Sequence, residues 1–137
     1  MVPDWEELEL DDRLIGVLKA ADLNKPAKVQ QLSIPQALDG RDLLVSAPTG
    51  TGKTLAFLLP ALQHLLDFPR KQPGPARILV LAPTRELAEQ IHQQTSLFAE
   101  ATGLSSVVVT GGINYGSQLS ELEKSHDIVV ATPGRLM

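Results

Sequence analysis

The chain has 137 residues, 43% of them hydrophobic, and 12 basic residues against 16 acidic give a formal net charge of −4. That size and apolar content suffice for one domain with a sizeable core, while the acidic balance argues against a protein that coats nucleic acid through bulk electrostatics. Cysteine is absent, which excludes a disulfide framework and a thiolate metal site. The acidic amino end does not read as a secretory signal, and the longest apolar run, Leu55–Leu62, is interrupted by Pro60 and too short for a bilayer. A cytoplasmic protein is the expectation.

In chain order, the charge is uneven: Asp4, Glu6, Glu7, Glu9, Asp11 and Asp12 stand within the first dozen residues. Beyond Arg13 the body is nearly neutral, with eleven basic against ten acidic residues, so nucleic-acid binding there would need local donors. Asp11 and Asp12 can cap a helix over Arg13–Ala21 with Leu14, Val17, Leu18 and Ala21 on one face. Pro26 is expected to begin a second helix carrying Val29, Leu32, Ile34 and Leu38, ended by the turn Asp39-Gly40-Arg41-Asp42. Leu43–Val45 reads as a short strand, and a helix then runs from near Gly52 to about Leu66. Asp67–Ala76, with three prolines and a glycine, reads as an exposed loop. Ile78–Leu81 is a buried strand, Glu86–Glu100 a helix, Val107–Val109 a strand, Gln118–Lys124 a helix and Asp127–Ala131 a strand. Continuously apolar strands alternating with helices imply a parallel sheet covered on both faces. His64, His92 and His126 are too scattered for metal-ligand spacing and are expected on solvated faces.

The segment from Ala47 to Thr54 carries the most chemistry. Ala47, Pro48, Thr49, Gly50, Thr51, Gly52, Lys53 and Thr54 lie between the strand-prone Leu43–Val45 and the apolar helix, the context in which a phosphate-cradling loop works. Glycines let the backbone turn its N–H groups toward phosphates, where side chains at Gly50 or Gly52 would intrude. The helix start adds its partial positive end to the same anion. Lys53 would reach the terminal phosphates as a point charge, and the Thr54 hydroxyl would enter a magnesium shell. The implied ligand is a nucleoside triphosphate with Mg2+, with Lys53 and Thr54 as the residues closest to catalysis. Ala47 replaces the usual first glycine.

Ala47–Thr54, followed by Pro83-Thr84-Arg85-Glu86-Leu87-Ala88, by Gly111-Gly112 and by Thr132-Pro133-Gly134-Arg135, resembles the first RecA-like domain of the DEAD-box RNA helicases. Four separate motifs match in order and approximate spacing, and the resemblance covers nearly the whole chain. It implies a P-loop RecA-like parallel sheet with helices on both faces, incomplete at the carboxyl end. Pro60–Lys71 looks closest to a ribosome-assembly member of that family, so RNA remodelling in ribosome assembly is implied for the parent.

Within that resemblance, Asp22–Gln30 matches the adenine-reading motif. A carboxamide can donate to one adenine nitrogen while accepting from the exocyclic amine, so Gln30 takes that role. Leu23 and Lys25 belong to the same motif, and Trp5 occupies the upstream aromatic position that braces it. Asp22, Leu23 and Ala27 stand where the family has Gly, Phe, and Thr or Ser. Downstream, Thr84 and Thr132 read as N-caps and Pro133 suits a first helical position. In the family, Pro83, Thr84 and Arg85, Gly111 and Gly112, and Thr132, Pro133, Gly134 and Arg135 grip the backbone of one RNA strand without reading bases. Glu86 and Glu89 read as a solvated face.

The domain expectation is an adenine-motif flank over residues 1–33 and the amino-terminal part of the helicase ATP-binding domain over 34–137. The family's acidic Asp-Glu-Ala-Asp motif, its Ser-Ala-Thr motif and a second RecA-like domain do not occur before Met137. The chain therefore reads as an amino-terminal fragment, inactive alone in ATP hydrolysis. A non-enzymatic ATP- or RNA-binding module, or another P-loop NTPase, are the alternatives.

Overall fold

The structure is a computed structural model that describes residues 4–46, 52–69, 74–110 and 126–133. The chain divides into two compact units, Met1–Pro69 and Arg70–Met137.

The first unit is helical. A 3-10 turn, Trp5–Leu8, precedes α1 (Asp12–Ala20), α2 (Lys28–Leu38) and α3 (Lys53–Asp67). Asp11 caps α1 by accepting from the Arg13 N–H, while Asp12 is its first helical residue. The buried face of α1 is Leu14, Ile15 and Leu18, so Ile15 replaces the expected Val17 and Ala21, which are half-buried and exposed. Leu58, Leu59, Leu62 and Leu65 of α3 are fully buried, and α2 packs on α3. Gln63 joins α1 to α3: its Oε1 accepts from the Asp11 N–H at 2.7 Å, and its Nε2 donates to Asp67 at 2.9 Å. A buried amide bonded at both ends favours one seating of the helices, and the two hydrogen bonds offset the cost of its desolvation.

Three expectations in this unit are corrected. The second helix starts at Lys28, not Pro26, because Ala27 is held in an extended conformation as the N-cap. Gln30, three residues into that turn, accepts from the Ala27 N–H at 2.7 Å. This is one half of a capping box, since the Ala27 methyl offers no oxygen in return. Leu32 is exposed, and the buried residues of α2 are Gln30, Ser33 and Ile34. Leu43–Val45 does not form a strand. A strand needs a neighbour to complete its hydrogen-bond ladder, and among the described residues no strand pairs with this run. Its side chains are exposed, Leu44 fully.

The second unit holds the sheet: β1 (Ile78–Leu81), α4 (Arg85–Thr102), β2 (Ser106–Val109) and β3 (Ile128–Ala131). The strand order is β1-β3-β2, both pairings parallel. Ile78, Ile128 and Ser106 lie in one row, and Leu81, Ala131 and Val109 in the last. β3 is buried along its whole length, as its continuous apolar sequence implies. Val107, Val109, Val129 and Ala131 form an apolar cluster on one face. α4 packs on β2 and β3, and His92 reaches the opposite face at Ser106, 3.3 Å away. Gly103, at φ +76, ends α4 in the left-handed conformation that suits glycine. The expected helix Gln118–Lys124 lies outside the described residues.

The histidines divide. His64 is exposed as expected, but His92 and His126 are half-buried. His126 Nδ1 lies 2.7 Å from the Ser105 hydroxyl. Each of the two rings has a serine hydroxyl as partner, Ser105 just before β2 for His126 and Ser106 at its start for His92.

Candidate functional site

In the first unit, α2 and α3 place the nucleotide candidates. Gly52 is the N-cap of α3 at φ +90, so Lys53 and Thr54 are the first two helical residues. Their backbone N–H groups belong to the first turn, which has no acceptors within the helix. Lys53 is exposed and Thr54 half-buried.

Gln30 is buried, yet its carboxamide spans both elements. Oε1 accepts from Ala27 N–H, and Nε2 donates to the Gly52 carbonyl at 3.2 Å. Ala27 N–H can only donate and the Gly52 carbonyl can only accept, so the amide orientation is fixed from both sides. One lone pair and one N–H remain, the pair needed to read an adenine edge. Gly52 stands at a φ that suits glycine, and a Cβ added there would displace the Gln30 amide from its place beside the helix start.

The remaining nucleotide candidates of this unit lie on the loop between α1 and α2 and on the segment that ties it. Leu23 is 44% exposed, which leaves an apolar surface open. Its carbonyl accepts from Trp5 Nε1 at 2.7 Å, and its N–H donates to the Leu18 carbonyl. Trp5 is 1% exposed, so it supports the loop from behind and presents no face to a ligand. Lys25 Nζ sits 2.9 Å from Asp4 Oδ1. Hydrogen bonding from Lys25 is the main reason that the Asp4 carboxyl is held below its ordinary value, and Lys25 is held above its own for the same reason. Asp22 occupies the left-handed region at φ 63, a conformation that Asp tolerates better than most side chains, and Asn24 donates to its carboxylate.

A groove of about 550 Å³ in this unit is lined by Glu7, Glu9, Asp39 and Arg41 among others. It contains none of the motif residues, and its carboxylates would repel a phosphate. Ala47, Pro48, Thr49, Gly50 and Thr51 lie outside the described residues.

In the second unit, parallel register gathers the RNA candidates. Because Leu81, Ala131 and Val109 share a row, the segments after all three strands leave the same edge of the sheet. The ladder runs one residue further, with Ala82 N–H donating to the Ala131 carbonyl at 2.9 Å and Thr132 N–H to Val109 at 3.1 Å. Adjacent strands lie about 4.8 Å apart, so Ala82–Arg85, Thr132–Pro133 and Thr110 emerge side by side. In α/β sheets this edge is where ligands bind.

Thr84 caps α4 by accepting from the Leu87 N–H at 3.2 Å, which leaves its own O–H able to donate. Pro83 is exposed, and Pro133 is exposed and helical. Arg85 opens α4 and donates from Nε to Glu89 at 3.2 Å. That bond uses one of five guanidinium donors. Gly111, Gly112, Gly134 and Arg135 lie outside the described residues. Among the described residues, no group of three His, Asp or Glu side chains could hold a metal ion, and no helix is long and apolar enough to cross a membrane.

Sequence reasoning missed two features of the first unit. One is the bridge from Gln30 to the Gly52 carbonyl. The other is the tie of Asp4 and Glu6 to two lysines, for which the acid-rich start was the only signal.

Parallel strands that deliver three loops to one edge place the second unit in the open α/β class, to which RecA-like domains belong. The family model described as DEAD/DEAH box helicase matches residues 27–137, and the chain belongs to that family. It is 53% identical over 136 residues to the ATP-dependent RNA helicase SrmB of Escherichia coli (strain K12), covering 99% of this chain and 31% of that protein. SrmB of Haemophilus influenzae is 50% identical over 133 residues, covering 97% and 30%. Among solved structures, the RNA-helicase Prp28 from Chaetomium thermophilum bound to ADP matches with a TM-score of 0.87 and 42% identity, over 97% of this chain and 33% of that one. The chain spans about a third of the length of these relatives.

Proposed function

We propose that this chain supplies the ATP-binding side and part of the RNA-binding side of an ATP-dependent RNA helicase. The observation that carries the reading is the Gln30 carboxamide bonded to the carbonyl at the start of α3. It joins a group suited to reading adenine to a helix start suited to holding phosphate, through a single side chain. Lys53 contacts the terminal phosphates, Thr54 contributes to a magnesium shell, and residues 47–52 wrap the phosphates. Leu23 covers the base, and Lys25 and Trp5 hold the loop that carries it. Family membership and the ADP-bound solved neighbour support the nucleotide class.

RNA is held along its sugar-phosphate backbone by Pro83, Thr84 and Arg85, by Gly111 and Gly112, and by Thr132, Pro133, Gly134 and Arg135. The in-register strand ends support this arrangement. In the parent, a second RecA-like domain closes on the same ATP and RNA, and hydrolysis releases the RNA. The work is RNA remodelling in ribosome assembly in the cytoplasm. Residues 1–33 form the adenine-motif flank and 34–137 the amino-terminal part of the ATP-binding domain. Hydrolysis requires a magnesium-coordinating acid, a group that orients water and an arginine in the transition state. Residues 1–137 alone therefore bind nucleotide without turning it over.

Calorimetric titration with ADP and ATP in the presence of Mg2+ tests the reading. Wild-type binding that is weakened in Lys53→Ala is expected, whereas equal binding by both proteins sinks the phosphate assignment.

A further inference from the structure

Three consecutive residues, Asp4, Trp5 and Glu6, each grip one point of the segment Lys19–Lys25, in reverse order. Asp4 Oδ1 accepts from Lys25 Nζ at 2.9 Å, Trp5 Nε1 donates to the Leu23 carbonyl at 2.7 Å, and Glu6 Oε1 accepts from Lys19 Nζ at 2.6 Å. The middle tie is part-buried, on a buried indole, and the outer two are exposed. An isolated surface ion pair contributes little, partly because two long side chains lose freedom in making it. Here the buried indole fixes the backbone between the two carboxylates. Each acid therefore starts within reach of its lysine and loses less freedom on pairing.

The gripped segment is the one that needs support. It holds Asp22 in the left-handed region, exposes the Leu23 side chain, and leads through Pro26 into the first turn of α2, where Gln30 stands. Nothing in the three ties reaches Lys53 or Thr54. Their effect falls on the base side of the site.

We propose that Asp4 and Glu6 are positioning residues for the base of a bound adenine nucleotide, acting through Lys25 and Lys19 on the loop that carries Leu23. This rests on the nucleotide reading above. The strap sets where the apolar surface of Leu23 stands against the base, and leaves phosphate binding to the start of α3. Base-dependent affinity is therefore sensitive to the two acids, and phosphate-dependent affinity is not.

The test uses the full 137-residue chain, in which Trp5 is the only tryptophan, so its emission reports the strap without any ligand. Asp4→Asn, Glu6→Lys and the swapped pair Glu6→Lys/Lys19→Glu are compared with wild type by tryptophan emission with acrylamide quenching, and by calorimetric titration with ADP and with inorganic tripolyphosphate. Asp4→Asn and Glu6→Lys are each expected to make Trp5 more quenchable and to weaken ADP about two- to fivefold, the scale of a well-placed ion pair. Tripolyphosphate affinity stays within error, and the swapped pair recovers ADP affinity. Unchanged ADP affinity in both single variants overturns the inference, as does equal loss for ADP and tripolyphosphate or failure of the swap to recover. Wild type that binds neither ligand instead overturns the nucleotide reading and the inference with it.

Discussion

The two units place their candidate residues by different means. In the second, backbone register does the placing: three strands in parallel ladders bring residues 82–85, 110 and 132–133 to one edge. In the first, side chains do it: Gln30 to Gly52, Trp5 to Leu23, and Gln63 to Asp11. A ladder of many backbone bonds tolerates the loss of any one side chain, whereas a tie made by one side chain does not. Point substitutions should therefore move the nucleotide candidates but only weaken the RNA candidates in place.

The sharpest way to break this contrast is Trp5→Ala. The indole is buried and bonded to Leu23, and truncating a buried tryptophan costs about 3–5 kcal/mol. Chemical denaturation should show a loss of that size, accompanied by weaker ADP binding. A loss under about 0.5 kcal/mol, the range of ordinary surface changes, would mean that the loop is held by something else.

Lys53→Ala comes next. Hydrogen bonds to charged groups contribute roughly 1.5–3 kcal/mol, so ADP and ATP affinity should fall about ten- to a hundredfold with the melting temperature unchanged. An exposed side chain at a helix start can be removed without a cavity, which keeps this result separate from unfolding. Gln30→Ala should be smaller in affinity but different in kind. It leaves the Ala27 N–H without its acceptor and frees the Gly52 carbonyl from one donor, at about 1 kcal/mol for each bond. Preference for ADP over GDP should shrink together with stability. If only selectivity changed, the bridge to Gly52 would carry no structural weight.

Much of the second unit was legible because its signal is local. Ile78–Leu81, Val107–Val109 and Asp127–Ala131 are largely apolar runs of strand length between turns, although the expected burial of Ile78–Leu81 fails at Leu79 and Leu81, which are exposed. Thr84 followed by an apolar-periodic run marks a capped helix in the same way. Leu43–Val45 has an equally apolar sequence and forms no strand, since β-propensity expresses fit to a paired surface and not a backbone preference. Leu32 fails for a related reason. The polar Gln30 and Ser33 take the buried face of α2 because each finds a backbone acceptor, the Gly52 carbonyl and the Val29 carbonyl. The ties of Asp4, Trp5 and Glu6 span 21, 18 and 13 residues. They depend on a turn whose direction no short pattern encodes.

Arg85→Ala tests the other side of the contrast. Its guanidinium is half-exposed and paired with Glu89 at 3.2 Å, a surface i,i+4 pair worth about 0.3–0.5 kcal/mol. Stability should hardly move. RNA affinity should weaken by a similar factor for every sequence, and the slope of log affinity against log salt should fall by about one, because one phosphate contact is lost. Loss confined to particular sequences would show that Arg85 reads bases and that backbone gripping is the wrong description.

The smallest effect expected is that of acid on the strap. The hydrogen bond from Lys25 holds Asp4 below its ordinary 3.8, and that from Lys19 holds Glu6 below its ordinary 4.5. A carboxylate whose value is lowered by folding contributes while it is charged. The contribution is complete above the ordinary value and disappears as pH falls through the lower folded one. Trp5 emission should therefore stay flat on going from neutral pH down to the ordinary carboxylate values and change only below them. Asp11, bonded to Arg13 and also held low, titrates in the same window but caps α1 instead of bracing the indole. Its contribution should appear in far-ultraviolet circular dichroism and leave emission untouched. A shift in Trp5 emission centred near neutral pH would point to a histidine and not to Asp4 or Glu6, and would remove the two acids from the account of how this loop is held.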